Sequence, residues 1–531
     1  MRCSLEKGFK RSILGGGEIK EEISEAEKRF DFYRKTVSLF LGPFVFLALL
    51  ITPMPELSAE AHRLCAIMGL VLIFWVGEPI PIPATALLGP ALCVIFAVAK
   101  SSVVFAPFSN PIIFLFIGSF MLAEAMKTHH LDRRLALTIL SLPMVGNNLY
   151  CVMFAVAIIP LVLSMWISDS AATAMMYPIM LGVLSTIDRL GNSTEAPNGL
   201  IDPQTATKKR KFGAGALLTI AYAAVIGGIG TPIGTPPNLI GIAMVNKMIG
   251  VNISFFSWMS LAVPIMIVMA FFMLLYMSFV FPPLSSEIKG LSQVILKEKS
   301  ALGSWTRGQK NTLAAFFFAI VLWILPGISA AILGTGSEVY KFLDTHIHEE
   351  IVSLIAALGL FFAPVNWSER KFTITWAEAV KIDWGTILLF GGGLSLGTLM
   401  FSTKLADFVG STLIKLTGVS TLWEITAMSI VLAIIATELT SNTAAANMLV
   451  PLAISVAKTA GVSGIPPAIG VCLGASMAFM LPVSTPSNAI VYGSGKVPIT
   501  CMIKAGIILD TISFFVIFSG LRILCPLVGL L

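Results

Sequence analysis

The chain has 531 residues, 56% of them hydrophobic and 12% charged, with a mean hydropathy of +0.89 and a formal net charge of +6. So little charge cannot cover a water-soluble protein of this length. Lys and Arg lie in the loops between apolar runs, so the basic balance does not point to nucleic acid.

Residues 1–35 are charged and show no short apolar core followed by a small-residue cleavage site, so no cleaved signal peptide is expected. Within them, "EIKEEISEAEKRFDFYRK" reads equally as an amphipathic helix on the membrane surface or as a solvated tail. Apolar runs then recur, among them Val37–Ile51, Cys65–Val76, Ala84–Ala99 and Ile507–Leu521. With their flanks they are long enough to cross a ~30 Å hydrocarbon core as helices, which satisfy their own backbone in lipid. The pattern predicts an all-α polytopic membrane protein with about 11 transmembrane helices and two re-entrant hairpins.

The predicted spans are 36–54, 62–78, 82–99, 110–127, 213–249 (broken near 230–238), 254–281, 311–327, 351–365, 384–402, 464–495 (broken near 481–488) and 503–527. Hairpins are expected at 149–186 and 423–457. Residues 1–35 form a cytoplasmic tail, 36–54 a first helix, 55–282 a first repeat, 283–310 a cytoplasmic linker and 311–531 a second repeat. With the N-terminus inside and each hairpin returning to its own side, 27 of the 35 Lys and Arg residues fall on the cytoplasmic side. This is the arrangement expected of an integral protein of the cell (inner or plasma) membrane.

The chain repeats itself. "SDSAATAMMYP" at Ser168–Pro178 matches "SNTAAANMLVP" at Ser441–Pro451. About 50 residues upstream of each tip stands a Gly-containing span, "FLFIGSF" (114–120) and "LLFGGGL" (388–394). Downstream come "GTPIGTPPN" (230–238) and "LPVSTPSN" (481–488). The first half differs mainly by the polar, basic insertion "NSTEAPNGLIDPQTATKKRK". Each repeat holds five spans and one hairpin, an odd number of crossings, so the copies are expected to be inverted, a plan used by secondary transporters.

Polar tips at membrane depth leave N–H groups free at the start of the second hairpin helix, where the helix dipole favours anions. Unwound carbonyls favour cations. In the breaks, Pro removes a donor and Gly permits close backbone approach. Irregular backbone survives at that depth only where it is buried in protein or lines a wet cavity. Two tips facing two breaks would make one central site for an anion and small hard cations. A lone Ser-Asn-Thr would be helix-packing glue and a lone Gly-Thr-Pro a kink; here each occurs twice in register.

The paired tips together with "GTPPN" and "STPSN" resemble the divalent anion/sodium symporter family over roughly residues 36–531. The resemblance implies a homodimer with a scaffold domain and a transport domain that moves like an elevator. It implies uptake, usually sodium-driven, of C4-dicarboxylates such as succinate, malate and fumarate, or of citrate or sulfate. It places the substrate at Asp169, Ser170, Asn442 and Thr443, close to Thr235-Pro236 and Thr485-Pro486. One sodium would sit among Ser164, Ser168, Asp169 and Gly234, and a second among Thr437, Thr440, Asn442 and Ser484. Sodium serves as a coupling ion, and no cofactor is implied. The implied partners are a small anionic metabolite, sodium, the lipid bilayer and a second copy of the chain.

The first tip departs from the family, with Ser168-Asp169-Ser170 where Ser-Asn-Thr is usual. An ionised Asp169 disfavours each unit charge of a dianion beside it by about 3 kcal/mol at ~6 Å and an effective dielectric of ~20. It could hold sodium more tightly, take a proton, signal a different substrate, or point away harmlessly. Glu438 is expected to form structural hydrogen bonds rather than contribute to a cation site, Glu78 to serve a turn, and Glu124 to snorkel or pair with a nearby base. "HIHEE" (346–350) is expected to be a solvated outer loop. The seven cysteines lack paired or metal-site spacing. An enzyme would need a clustered His, Cys or acidic constellation, whereas the five histidines sit at span ends or in loops. A channel would need a continuous pore.

Overall fold

The computed structural model describes residues 25–145, 148–192, 203–283 and 290–531. Most of the N-terminal tail and the core of the 192–211 insertion lie outside them. The described chain is helical apart from a two-stranded antiparallel hairpin, Pro364–Asn366 with Lys371–Phe372. Ten of its helices are long and apolar enough to cross a membrane, among them Arg29–Ile51, Ala59–Gly77, Phe255–Val280, Arg307–Leu333 and Ile499–Val528.

The two expected hairpins are helix–gap–helix units. The first joins Leu149–Ser164 to Asp169–Asn192, the second Leu422–Leu439 to Asn442–Thr459. The first broken span joins Pro203–Gly228 to Pro236–Ile249; the second joins Ile465–Ala475 to Pro486–Tyr492.

Packing is matched between the halves. Pro203–Gly228 lies along the first arm of hairpin 1, and Ile465–Ala475 along the first arm of hairpin 2. Pro236–Ile249 packs on hairpin 2 and Pro486–Tyr492 on hairpin 1. Pro111–Thr128 packs on Glu349–Gly359, and Trp384–Ser402 on Ile82–Ile95. Close approach needs glycine: a Cβ on Gly227 would stand 2.1 Å from the Leu161 carbonyl oxygen in hairpin 1.

The structure departs from expectation in places. The eighth expected span, 351–365, is helical only over Glu349–Gly359, because the chain turns into the two-stranded hairpin at Pro364. The second break is not confined to 481–488, since helix stops at Ala475. Short helices at Leu131–Leu140 and Leu405–Thr417 follow the glycine-containing spans in each half and were not anticipated.

Candidate functional site

Serine caps both tips. Ser168 Oγ accepts the Ala171 N–H at 3.3 Å, and Ser441 Oγ accepts the Ala444 N–H at 3.2 Å. A Ser N-cap satisfies one N–H of the first turn and leaves others open to a ligand. The residues that follow differ. Asp169 Oδ1 accepts the N–H of Ser170 at 2.8 Å and its hydroxyl at 3.3 Å. Asn442 Oδ1 instead meets the Thr437 hydroxyl at 2.7 Å.

Each break is held by an asparagine at its far end. Asn238 Nδ2 donates to the carbonyls of Gly228 (3.1 Å) and Thr231 (2.8 Å). Asn488 Nδ2 donates to those of Ala478 and Leu481, both at 3.0 Å. The offsets, ten and seven residues back, are identical. The carbonyl nine residues back is taken each time by an aromatic side chain: Trp258 Nε1 donates to Ile229 O at 3.0 Å, and Tyr222 OH to Phe479 O at 3.0 Å. Buried carbonyls released from helix need such donors. In the second break Glu438 supplies the complement, its carboxylate accepting the N–H groups of Phe479 (2.6 Å), Met480 (2.8 Å) and Leu481 (3.1 Å). That support explains why helix is abandoned as early as Ala475, and it gives Glu438 the structural role expected of it.

Tips and breaks are also tied together. The Thr231 hydroxyl donates to the Met165 carbonyl beside the first tip. The Thr437 hydroxyl lies 2.6 Å from the Ala475 carbonyl oxygen. A Cβ on Gly234 would stand 2.5 Å from Gly228 O and 2.8 Å from Ser164 O, so only glycine allows this approach of break to tip.

The four elements surround one cavity of about 590 Å³. Of the expected substrate residues, Asp169, Ser170, Thr235, Pro236, Asn442, Thr443 and Pro486 line it; Thr485 instead caps the following helix, its Oγ1 accepting the Asn488 N–H at 3.2 Å. Of the expected sodium residues, Ser168, Asp169, Gly234, Asn442 and Ser484 line it. Ser164 and Thr437 lie just behind, fully buried. Thr440 is turned aside, its hydroxyl donating to the Trp75 carbonyl at 2.8 Å.

Four acids and two bases line the cavity: Asp169 among the tips and breaks, and Glu124, Asp132, Asp383, Lys127 and Lys381 from the surrounding helices. Asp169 therefore points inward. Lys127 pairs with Glu124 at 3.4 Å. Glu78 ends its helix in a left-handed turn and pairs with Arg34 at 3.4 Å. The "HIHEE" segment is more than a solvated loop. Glu349 Oε1 accepts the Phe255 N–H at 2.5 Å, and the Glu349 carbonyl accepts from Trp323 Nε1 at 2.9 Å. Asn238 and Asn488 were not singled out from the sequence, although their shared place in "GTPPN" and "STPSN" was the available signal.

A family profile described as the sodium:sulfate symporter transmembrane region matches residues 33–528. The chain belongs to this family. It is an integral membrane transporter, as the family and the ten apolar helices require. It is 33% identical over 495 residues to a sodium-dependent dicarboxylate transporter, SdcS, of Staphylococcus saprophyticus, covering 92% of this chain and 91% of that protein. It is 32% identical over 512 residues to SdcS of Staphylococcus aureus, covering 95% and 94%. In fold it resembles the Alcanivorax borkumensis YdaH transporter, with a TM-score of 0.52 and 12% identity over 94% of this chain and 98% of that one. It likewise resembles Neisseria gonorrhoeae MtrF, with a TM-score of 0.51 and 12% identity over 93% and 97%.

Proposed function

We propose that the chain is a sodium-coupled symporter of C4-dicarboxylates such as succinate, malate and fumarate. The observation that carries this reading is the convergence of both tips and both breaks on one cavity, to which they bring helix N-termini, hydroxyls, amides and the Asp169 carboxylate but no Lys or Arg of their own. An anion there is held by dipoles and by cations bound with it. The relatives named as sodium-dependent dicarboxylate transporters supply the substrate class and the coupling ion.

Two oxygen clusters support the cation assignment. Behind the second tip, Thr437 Oγ1 lies 2.7 Å from the Asn442 side-chain amide and 2.6 Å from Ala475 O. With the amide oxygen turned toward Thr437, these three oxygens form a ligand set for a small hard cation. Behind the first tip, the fully buried Ser164 hydroxyl has no hydrogen-bond partner among the described residues. A sodium there would take Ser164, Gly234 and the Asp169 carboxylate, with Ser168 at the tip.

Lys127 and Lys381 at the cavity belong to the group that charge bias places in the cytoplasm, so the cavity is the inward-facing one. The chain works as a homodimer, and the unit of hairpins and broken helices shifts across the membrane to expose the site to the other side. A citrate or sulfate symporter and a sodium-independent exchanger are the alternatives. Uptake of radiolabelled succinate, citrate and sulfate into proteoliposomes, with and without a sodium gradient, tests the reading. Succinate uptake that collapses when choline replaces sodium is the expected result. Tight succinate binding in sodium-free buffer would refute coupling.

A further inference from the structure

A second recess, of about 470 Å³, lies apart from the central cavity. Ser102, Ser109 and Asn110 reach it from the loop before Pro111–Thr128, and Leu394 and Thr398 from Trp384–Ser402. Lys247 reaches it from the last turn of Pro236–Ile249. With the N-terminus in the cytoplasm, the charge bias puts both the loop after the third span and the end of the fifth span on the outer face. Lys247 is the one charged residue in the lining, and its ammonium group makes no ion pair or hydrogen bond among the described residues. Its place at a helix C-terminus favours the charged form. Asn110 Oδ1 accepts the Ile112 N–H at 3.0 Å, which leaves the side-chain N–H groups of Asn110 free. The Ser102 hydroxyl is likewise unengaged among the described residues. A recess with one ammonium, two further donors and no acid suits an anion. In the central cavity, by contrast, two lysines share the lining with four acids.

The walls of the recess belong to different parts of the molecule. Ser395 Oγ donates to the Val104 carbonyl at 2.6 Å, which ties the loop to Trp384–Ser402. Lys247 instead sits on the helix that follows the first break, within the unit proposed above to shift across the membrane. The two parts meet closely here: a Cβ on Gly397 would stand 2.7 Å from Met248 Cε. We propose that the recess binds a small carboxylate anion from the outer side, at Lys247, Asn110 and Ser102, and that the bound anion holds the moving unit in its inward position. A shift of the unit carries Lys247 away from the other two donors. The anion therefore binds the inward position better than the outward one and favours it by that difference. The holding step rests on the transport reading; the binding step does not.

Succinate is the probe for both steps. Binding is read by saturation-transfer NMR, which detects weak contacts, on the purified full chain in sodium-free choline buffer. A succinate signal is expected in the wild type and in Asn442→Ala, a several-fold smaller one in Lys247→Gln, and a restored one in Lys247→Arg, each variant first shown to be folded by its size-exclusion profile. No signal in the wild type, an equal signal in Lys247→Gln, or a signal removed by Asn442→Ala overturns the site. Holding is read as uptake into cells that express the chain. The wild-type rate should pass through a maximum as external succinate rises, and Lys247→Gln should abolish the decline. A wild-type rate that only saturates, or a decline retained in the variant, overturns the holding step. Absence of all succinate uptake would overturn the transport reading and leave the NMR result standing.

Discussion

Replacing Asp169 by Asn is the sharpest test of how the cavity handles charge. The exchange keeps the shape of the tip, because an amide oxygen can still accept the Ser170 N–H that Asp169 Oδ1 accepts at 2.8 Å. What changes is one negative charge in a cavity lined by four acids and two lysines. Opposite unit charges ~6 Å apart at an effective dielectric of ~20 attract by about 3 kcal/mol. Asp169 is partly open to the cavity, so solvent screening reduces this to about 1.4 kcal/mol, a tenfold change in affinity. Two shifts of opposite sign are expected. The sodium concentration for half-maximal uptake rises about tenfold, because the cation loses its only full charge partner among the proposed ligands. At saturating sodium the KM for succinate falls, because the dianion no longer meets a carboxylate. Initial uptake rates in proteoliposomes, titrated separately with sodium and with succinate at several pH values, read both. If sodium and pH dependence both match the wild type, Asp169 does not hold the coupling ion and the reasoning fails.

Three further changes probe the scaffold. In Asn488→Asp the Ala478 carbonyl loses its donor, while the Leu481 carbonyl keeps the Ser484 hydroxyl; at about 1–3 kcal/mol for a buried group left unsatisfied, a loss of thermal stability in detergent is expected, and an unchanged Tm would deny the asparagine its bracing role. Thr437→Val keeps volume but removes the oxygen shared by Asn442 and Ala475, so sodium affinity should drop with folding intact, as judged by size-exclusion profile; wild-type sodium dependence would take Thr437 out of the cation site. In Gly234→Ala the new methyl falls within 2.8 Å of two backbone oxygens that cannot yield, so transport should be abolished while the chain still reaches the membrane, and active transport in this variant would mean that break and tip need not touch.

Much of this was legible because small polar residues, Gly and Pro inside apolar runs have few explanations. Helix starts at Asp169 and Asn442 within the predicted tips, and Pro236 and Pro486 each open the helix after a break. What stayed hidden depends on contacts between residues far apart in the chain. The second break begins at Ala475 because Glu438, about 40 residues earlier, takes the N–H groups that helix would have used. The family resemblance puts Thr440 in a cation set, but its hydroxyl finds the Trp75 carbonyl, 365 residues away. The helices at Leu131–Leu140 and Leu405–Thr417 are too short to announce themselves as spans.

The matched halves divide their polar groups in a way that explains how irregular backbone can sit in a membrane and still bind. The break carbonyls facing protein are taken by Asn238, Asn488, Trp258 and Tyr222, so the protein itself supplies their hydrogen bonds. Tip residues and those first-turn N–H groups not taken by Ser168, Asp169 and Ser441 are left for the ligands. The symmetry fails at one pair of positions. Asn442 is neutral and shares the Thr437 hydroxyl, whereas Asp169 can carry a charge, and the Ser164 hydroxyl behind that tip has no hydrogen-bond partner among the described residues. Equal geometry with unequal charge predicts unequal affinity: sodium fills the Asp169 side first and the Asn442 side second. Sodium binding to the purified protein should resolve two affinities, and Asp169→Asn should bring them together by weakening the tighter one. A single affinity in the wild type, unaffected by that substitution, would mean that the charge at the first tip is neutralised by something other than sodium.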